Sequence, residues 1–240
     1  MSNLILHMGA HRVSEETVRA LGVPNATATH RPIAHRDLID LVLAAVERNN
    51  LQVTAQAHGL THDNSRYFGL LNVGHQDDAT KEWTRVIGMR NAHDKRFAAG
   101  VVAGSQVLVC DNLCFSGEIE AARKHTVNIS AELPGIINRA IGKMGEVWQQ
   151  HADRVDRYKD CEISDPNVHH VVIRAVDRGA MANSYIPKVL EAYREPPHEA
   201  FRPRTVWSLH NAFTEVFKER VDLLEERSCI MHEILDDFVR

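Results

Sequence analysis

Residues 83–113 read WTRVIGMRNAHDKRFAAGVVAGSQVLVCDNL, and this stretch decides the fold. Two apolar runs, 83–90 and 97–103, flank the polar turn NAHDKR, and a third run, 107–113, follows Ala103-Gly104-Ser105. Runs of this length, rich in Val, Ile and aromatic residues and bounded by turn residues, are strands of a half-buried sheet. Gly100 and Gly104 mark a bulge or a close backbone approach. Upstream, QVTAQAHGLT and RYFGLLNVG flank HDNS, a second hairpin over 51–73. Four or five strands joined by short turns predict antiparallel pairing, because parallel neighbours need long crossovers.

Outside this block the period changes. Residues 36–49 carry Leu38, Leu41, Val42 and Ala45 at helical spacing, ended by Asn49-Asn50. Before them, 1–35 read as an irregular arm with a short helix over 14–20, where Ser14 is the cap and Thr17 holds the capping-box position. From about residue 118 onward, Ile119, Ala122, Ile129, Leu133, Ile136, Ile137, Ile141, Met144 and Trp148 predict one or two helices, with Pro134 at a break or a start. HHVVIRA, within 167–175, reads as a short strand, and 181–193 as helical after Ile186, with Pro187 in an early position. REPPHEAFRPR is an exposed linker, followed by amphipathic helices over 205–217 and 221–238. The expected fold is α+β: a twisted, mainly antiparallel sheet packed against helices, with a helical C-terminal region. The expected organisation is an arm (1–35), an α+β core (36–195) and a linker with C-terminal helices packing on the core (196–240). Leu223, Leu224, Ile230, Ile234, Leu235 and Phe238 offer a surface for a homodimer.

Composition narrows the class. The chain of 240 residues is 44% hydrophobic and 25% charged, as in an ordinary globular protein. A net charge of −4 excludes a protein that is basic all over but leaves room for a local basic groove. No apolar stretch is long enough to span a bilayer, and the N-terminal residues lack a secretory pattern. Cys110, Cys114, Cys161 and Cys229 form no CxxC pair, which fits free thiols in a cytoplasmic protein. Fifteen histidines predict a charge that depends strongly on pH near 6–7.

Chemistry concentrates in Arg90-Asn91-Ala92-His93-Asp94-Lys95-Arg96 and Cys110-Asp111-Asn112-Leu113-Cys114. Arginine's planar fork suits phosphate oxygens and lysine supplies a point charge. Arg90, Asn91, His93, Lys95, Arg96, Asn112, Arg123 and Lys124 are therefore the expected phosphate or nucleic-acid contacts. Trp83 and Phe97 serve as a stacking platform or as core. The competing set, His93, Asp94, Asp111 and His125, would hold a divalent metal for hydrolysis of a phosphate-containing substrate. The spacing matches no standard metal motif. His58 and His62 have the i,i+4 spacing that would bring two rings together on a helix, but Gly59 and the strand pattern place them, with Asp63 and His75, around the mouth of the first hairpin instead. There is no GxSxG, P-loop or dinucleotide fingerprint, so no catalytic nucleophile is assigned and no cofactor other than that metal is expected.

GLLNVG, VIGMRNAHDKRFAAGVVAGSQVLVCDNLCFSGE, RKHT and TVWSLHNAFTEVFK together resemble a family of phage- and plasmid-associated bacterial proteins classified as a domain of unknown function, over about residues 50–220. The resemblance carries no biochemical activity. It emphasises Arg90, Asn91, His93, Asp94, Lys95, Cys110, Asp111, Asn112, Phe115, Gly117, Lys124, His125, Trp207 and Asn211. Cys114 stands where relatives are expected to carry a small apolar residue, which weighs against a cysteine mechanism. The cationic turn and the resemblance together predict a mobile-element accessory protein that binds DNA, preferentially single-stranded, in maintenance, recombination or protection. Metal-assisted phosphate hydrolysis and a protein-interaction module are the alternatives.

Overall fold

The computed structural model describes residues 10–74, 83–107, 113–115, 121–217 and 223–239. It is an α+β fold whose sheet runs in the order β1 (Ala10–Val13), β2 (Gln52–Thr61), β3 (Arg66–Gly74), β4 (Trp83–Ala92), β5 (Ala99–Val107), β6 (Leu113–Phe115), with β7 (Ala121–Arg123) also paired to β5. Every pairing is antiparallel. The two hairpins fall where the sequence placed them. β5 runs through Gly104 and Ser105 without a break, because Gly104 pairs with Val86 on one side and Phe115 on the other. Residues 108–112, with Cys110, Asp111 and Asn112, lie outside the described residues.

Alternation along the strands gives the sheet two buried faces. Tyr67, Leu71, Ile87, Met89, Val101 and Ala103 point into one core. It is closed by α2 (His35–Arg48) through Leu38, Ile39, Val42 and Val46, and by α3 (Ile129–Asp160) through Leu133, Ile137, Ile141, Met144 and Trp148. Leu70, Val86 and Val102, at alternate positions, meet a second, mainly helical core. That core is built by α4 (Asp165–Asp177), α5 (Ile186–Arg194), α6 (Val206–Phe217) and α7 (Leu224–Phe238). α3 serves both: its Trp148 lies in the first core, while its Val155 and Tyr158 lie in the second. At about 1.5 Å per residue a helix of this length is long enough to bridge them.

α1 (Glu15–Arg19) starts as expected, with the Thr17 N–H donating to Ser14 Oγ at 3.2 Å. α3 is one continuous helix with Pro134 inside it, and Ala122, expected in that helix, belongs to β7. The expected strand at 167–175 is a correction: these residues are helical, within α4. Val168, Val171, Val172 and Ala175 are buried at helical spacing, and Pro166 sits in the first turn, where its missing N–H costs nothing. The expected linker is held against the fold. Phe201 is buried, the Ile163 N–H donates to the Arg204 carbonyl at 2.9 Å, and Glu162 bridges Thr205. Of the apolar residues offered for self-association, Ile234 and Leu235 are fully buried in the chain's own core, whereas Ile230 and Phe238 are half-buried. No helix of the described residues is long and apolar enough to cross a membrane.

Candidate functional site

One end of the sheet gathers four segments: a strap without regular structure over 21–34, the N-terminus of α2, the β4–β5 turn, and the loop between β7 and α3. The turn is anchored from below. The His93 N–H donates to the Ser65 carbonyl at 2.8 Å, and Arg66 pairs with Asp94 at 2.6 Å. Asp94 Oδ1 also accepts from the Arg96 N–H at 3.1 Å. Lys95 adopts a left-handed backbone (φ 66°), a conformation that costs a side-chain-bearing residue energy and occurs where tertiary structure enforces it.

Ile33 is the hub. Its N–H donates to His125 Nδ1 at 3.2 Å. Its carbonyl accepts from His93 Nε2 at 2.7 Å and from Asn91 Nδ2 at 3.2 Å. Asn91 Nδ2 also donates to His35 Nδ1 at 2.9 Å, and His35 Nε2 donates to the Asn64 carbonyl at 3.2 Å. The rings form a continuous file. His58–Tyr67, Tyr67–His35, His35–His93, His93–His125 and His125–His30 have centroids 6.0, 5.5, 4.1, 6.4 and 5.4 Å apart.

These bonds determine the tautomers. A ring nitrogen that accepts an N–H is unprotonated, so in the neutral ring the proton sits on the other nitrogen. His125 therefore carries its proton on Nε2, which is buried and has no partner; Asn91 Oδ1 and His30 Nε2 are likewise buried and unpartnered. Burial pushes the His35 and His125 imidazoles down to about 4, and lowers His30, with the neighbouring imidazoles and, for His30, Lys95 acting in the same direction. Desolvation of the charged form is the main cause in each.

Above the neutral rings sits a cationic rim. Lys95, Arg96, Lys124 and Arg31 are exposed, and among the described residues none of them has an ion-pair partner. The Arg31 N–H donates to the His125 carbonyl at 2.9 Å, which brings the strap beside Lys124. The remaining sequence candidates are placed differently. Arg123 pairs with Glu132 at 2.6 Å. Arg90 lies on the other face of the sheet from Asn91, with its guanidinium 5.5 Å from the Phe97 ring centroid. Asn91 is fully buried and spends its amide on the strap and His35. Asn112 and Asp111 lie outside the described residues. Trp83 is buried in the second core.

The metal set fares poorly on its donor chemistry. His125 offers a proton at Nε2 rather than a lone pair, His93 donates through Nε2, and both Asp94 oxygens are engaged. Among the described residues no group of three or more His, Cys, Asp and Glu side chains is arranged to hold a metal ion. The site presents donors and cations, which is chemistry for an anion. Sequence reasoning missed His30, Ile33 and His35, whose only local signal was their closeness to the start of an amphipathic helix.

The chain belongs to the family described as a domain of unknown function (DUF932), whose model matches residues 25–227. No curated protein and no solved structure matches it. The matched span takes in residues 25–34 of the strap and all five histidines of the ring file, the nest.

Proposed function

We propose that this member of the family binds the phosphate backbone of nucleic acid, single-stranded DNA in preference to duplex, at the strap end of the sheet, in the service of a mobile genetic element. The observation that carries the reading is the pairing of an unsatisfied His125 Nε2–H donor with four exposed, unpaired cations. Donors aimed at a site without a resident acceptor favour an anion, and a rim of separate cations suits a repeating phosphate chain. The half-buried Phe97, tilted against Phe68 at 5.5 Å and carrying Arg90, supplies an aromatic surface near the same turn. Single strands are preferred because no helix of the described residues presents the exposed basic face that enters a major groove. The link to mobile elements rests on the sequence resemblance alone.

Fluorescence anisotropy with labelled single- and double-stranded oligonucleotides, at low and moderate salt, tests this. Affinity for the single strand should fall as salt rises. In the double charge reversal Lys95→Glu/Arg96→Glu, the slope of log affinity against log salt should shrink by about 1.4, since each phosphate contact to a single strand contributes about 0.7. Absence of salt-sensitive binding to either oligonucleotide would remove the proposal.

A further inference from the structure

The strap is fastened to the fold by acceptors that a proton would abolish. Between α1 and α2, residues 22–29 are all exposed, and their internal order is a small turn in which Thr27 and His30 bond each other. Its main-chain ties to the sheet end pass through 31–34, and the His30 ring also lies against His125. The main-chain ties are the Arg31 N–H to the His125 carbonyl, the Ile33 N–H to His125 Nδ1, and the Ile33 carbonyl to Asn91 and His93. Asn91 is itself held by donating to His35 Nδ1. Two ring nitrogens, on His125 and His35, thus face N–H groups as acceptors. Adding a proton to either sets donor against donor in a buried place, which forfeits the bond and strands both groups.

We propose that the strap is an acid-operated latch, in which protonation of His35 and His125 releases residues 21–34 from the end of the sheet while the sheet itself stays folded. No charged group acting on these rings relieves the added charge, and the contacts that favour it are neutral carbonyls, Asn64 on His35 and His125 on His30. His35 faces His93 and His125, His125 faces His30 and His93, and His30 faces Lys95, His93 and His125. Each of these is neutral or positive. Among the described residues the carboxylates on the surrounding elements are engaged elsewhere: Asp94 with Arg66, Asp37 with the Ala34 N–H, Glu132 with Arg123, and Asp63 with Thr61 and Ser65. His93 is not part of the trigger, because its bond to the strap is made through a donor nitrogen and survives protonation.

The direction follows from linkage. In the closed strap burial holds His35 and His125 down at about 4, whereas the released rings return to the ordinary histidine value near 6.5. The open form therefore binds more protons between those values, and opening gains weight as pH falls from about 6.5 to 4. At pH 5 the gain is roughly 30-fold for each imidazole released. The latch stands independently of the nucleic-acid reading, since it concerns only bonds within the chain.

Amide hydrogen exchange of the full chain, followed by NMR at pH 7 and pH 5 and corrected for the intrinsic exchange rate, reads the latch directly. The Arg31 and Ile33 amides should lose roughly 30-fold or more of their protection at pH 5 and exchange faster there than the β3 and β4 amides, which report only global unfolding. In His35→Asn/His125→Asn each side-chain oxygen takes the place of Nδ1 as an acceptor that does not titrate, and the pH dependence of the strap should vanish. Three results would overturn the proposal: unchanged protection of Arg31 and Ile33, protection at pH 5 equal to that of β3 and β4, or wild-type pH dependence in the double variant. Should that variant fail to fold, the ring resonances of His35 and His125 in the wild type decide. Their titration must coincide with the step in Arg31 and Ile33 exchange, and titration without such a step sinks the latch.

Discussion

Gly69 shows how narrowly the nest is built. A Cβ at this position would stand 2.2 Å from the Tyr67 hydroxyl oxygen and 2.6 Å from Met89 Cε. That hydroxyl cannot move freely, because the Tyr67 ring is fully buried and its oxygen is 2.8 Å from the Nδ1 of the buried His58. Gly69→Ala should therefore cost about 1–3 kcal/mol as an overpacked core position, read as a lower urea midpoint. Removing the obstructing oxygen with Tyr67→Phe should recover part of the loss in the double variant, and simple additivity would contradict this account. Asn91 is the polar counterpart. Its Nδ2 serves two acceptors, the Ile33 carbonyl and His35 Nδ1. Asn91→Asp, of the same size, replaces that donor with an oxygen and buries a charge with no donor opposite. A loss of about 2 kcal/mol or more is expected, with the midpoint shift larger at pH 7 than at pH 4.5, where the carboxyl regains its proton.

The elements of the second core are tied down at one carboxylate. Asp236 on α7 accepts a fork of bonds from Arg154 of α3, at 3.1 Å and 3.0 Å, and another from the Tyr158 hydroxyl at 2.9 Å. Arg174 of α4 pairs with Asp237 and Arg178 with Glu233. The outer pairs are exposed and contribute little, whereas Asp236 is mostly covered by its partners. Asp236→Ala should lower stability by about 2 kcal/mol, and Asp237→Ala by a few tenths at most; equal losses in urea titrations would contradict this division. Which elements were legible in the sequence follows the same logic of local against distant causes. The hairpins were readable because strand period and turn chemistry are written within each segment, as in HDNS and NAHDKR. α4 looks like a strand because Val171, Val172 and Ile173 form a strand-like run, whereas the helix-start signal, Pro166, lies just before the segment. In the nest, Asn91 and His93 stood out, but their partners Ile33 and His35 are 56 to 60 residues away in the chain. Only the folded sheet brings α2 and the strap over the β4–β5 turn, and no local pattern announces such a meeting.

Among the described residues the buried histidines fall into two groups, and both make the fold a neutral-pH structure. Besides the nest, His151, His210 and His232 meet in the helical core. His210 stacks on Trp207 and His232, and His151 Nε2 is hydrogen-bonded to Ser105 Oγ at 2.8 Å. Burial pushes His151 down to about 4 and His210 to about 3, and holds His232 well below its ordinary value, with Arg154 and the neighbouring imidazoles adding to the effect. The unfolded chain returns these rings to about 6.5, so it binds more protons than the native state at every pH from there down to the native values. The stability they contribute is complete above about 6.5 and drains away as pH falls towards 4. At pH 5 the loss is on the order of 2 kcal/mol for each imidazole that stays neutral in the fold, so the three together reach the size of a typical domain's net stability. Urea unfolding at pH 7, 6 and 5 should show midpoints that fall steeply over this interval. Replacing one titrating ring by an apolar one of similar size, as in His210→Phe, should flatten the profile by one imidazole's share, whatever it does to the stability at pH 7. A wild-type midpoint that does not move between pH 7 and pH 5 would mean that these rings are charged or solvated in the native protein, contrary to their burial.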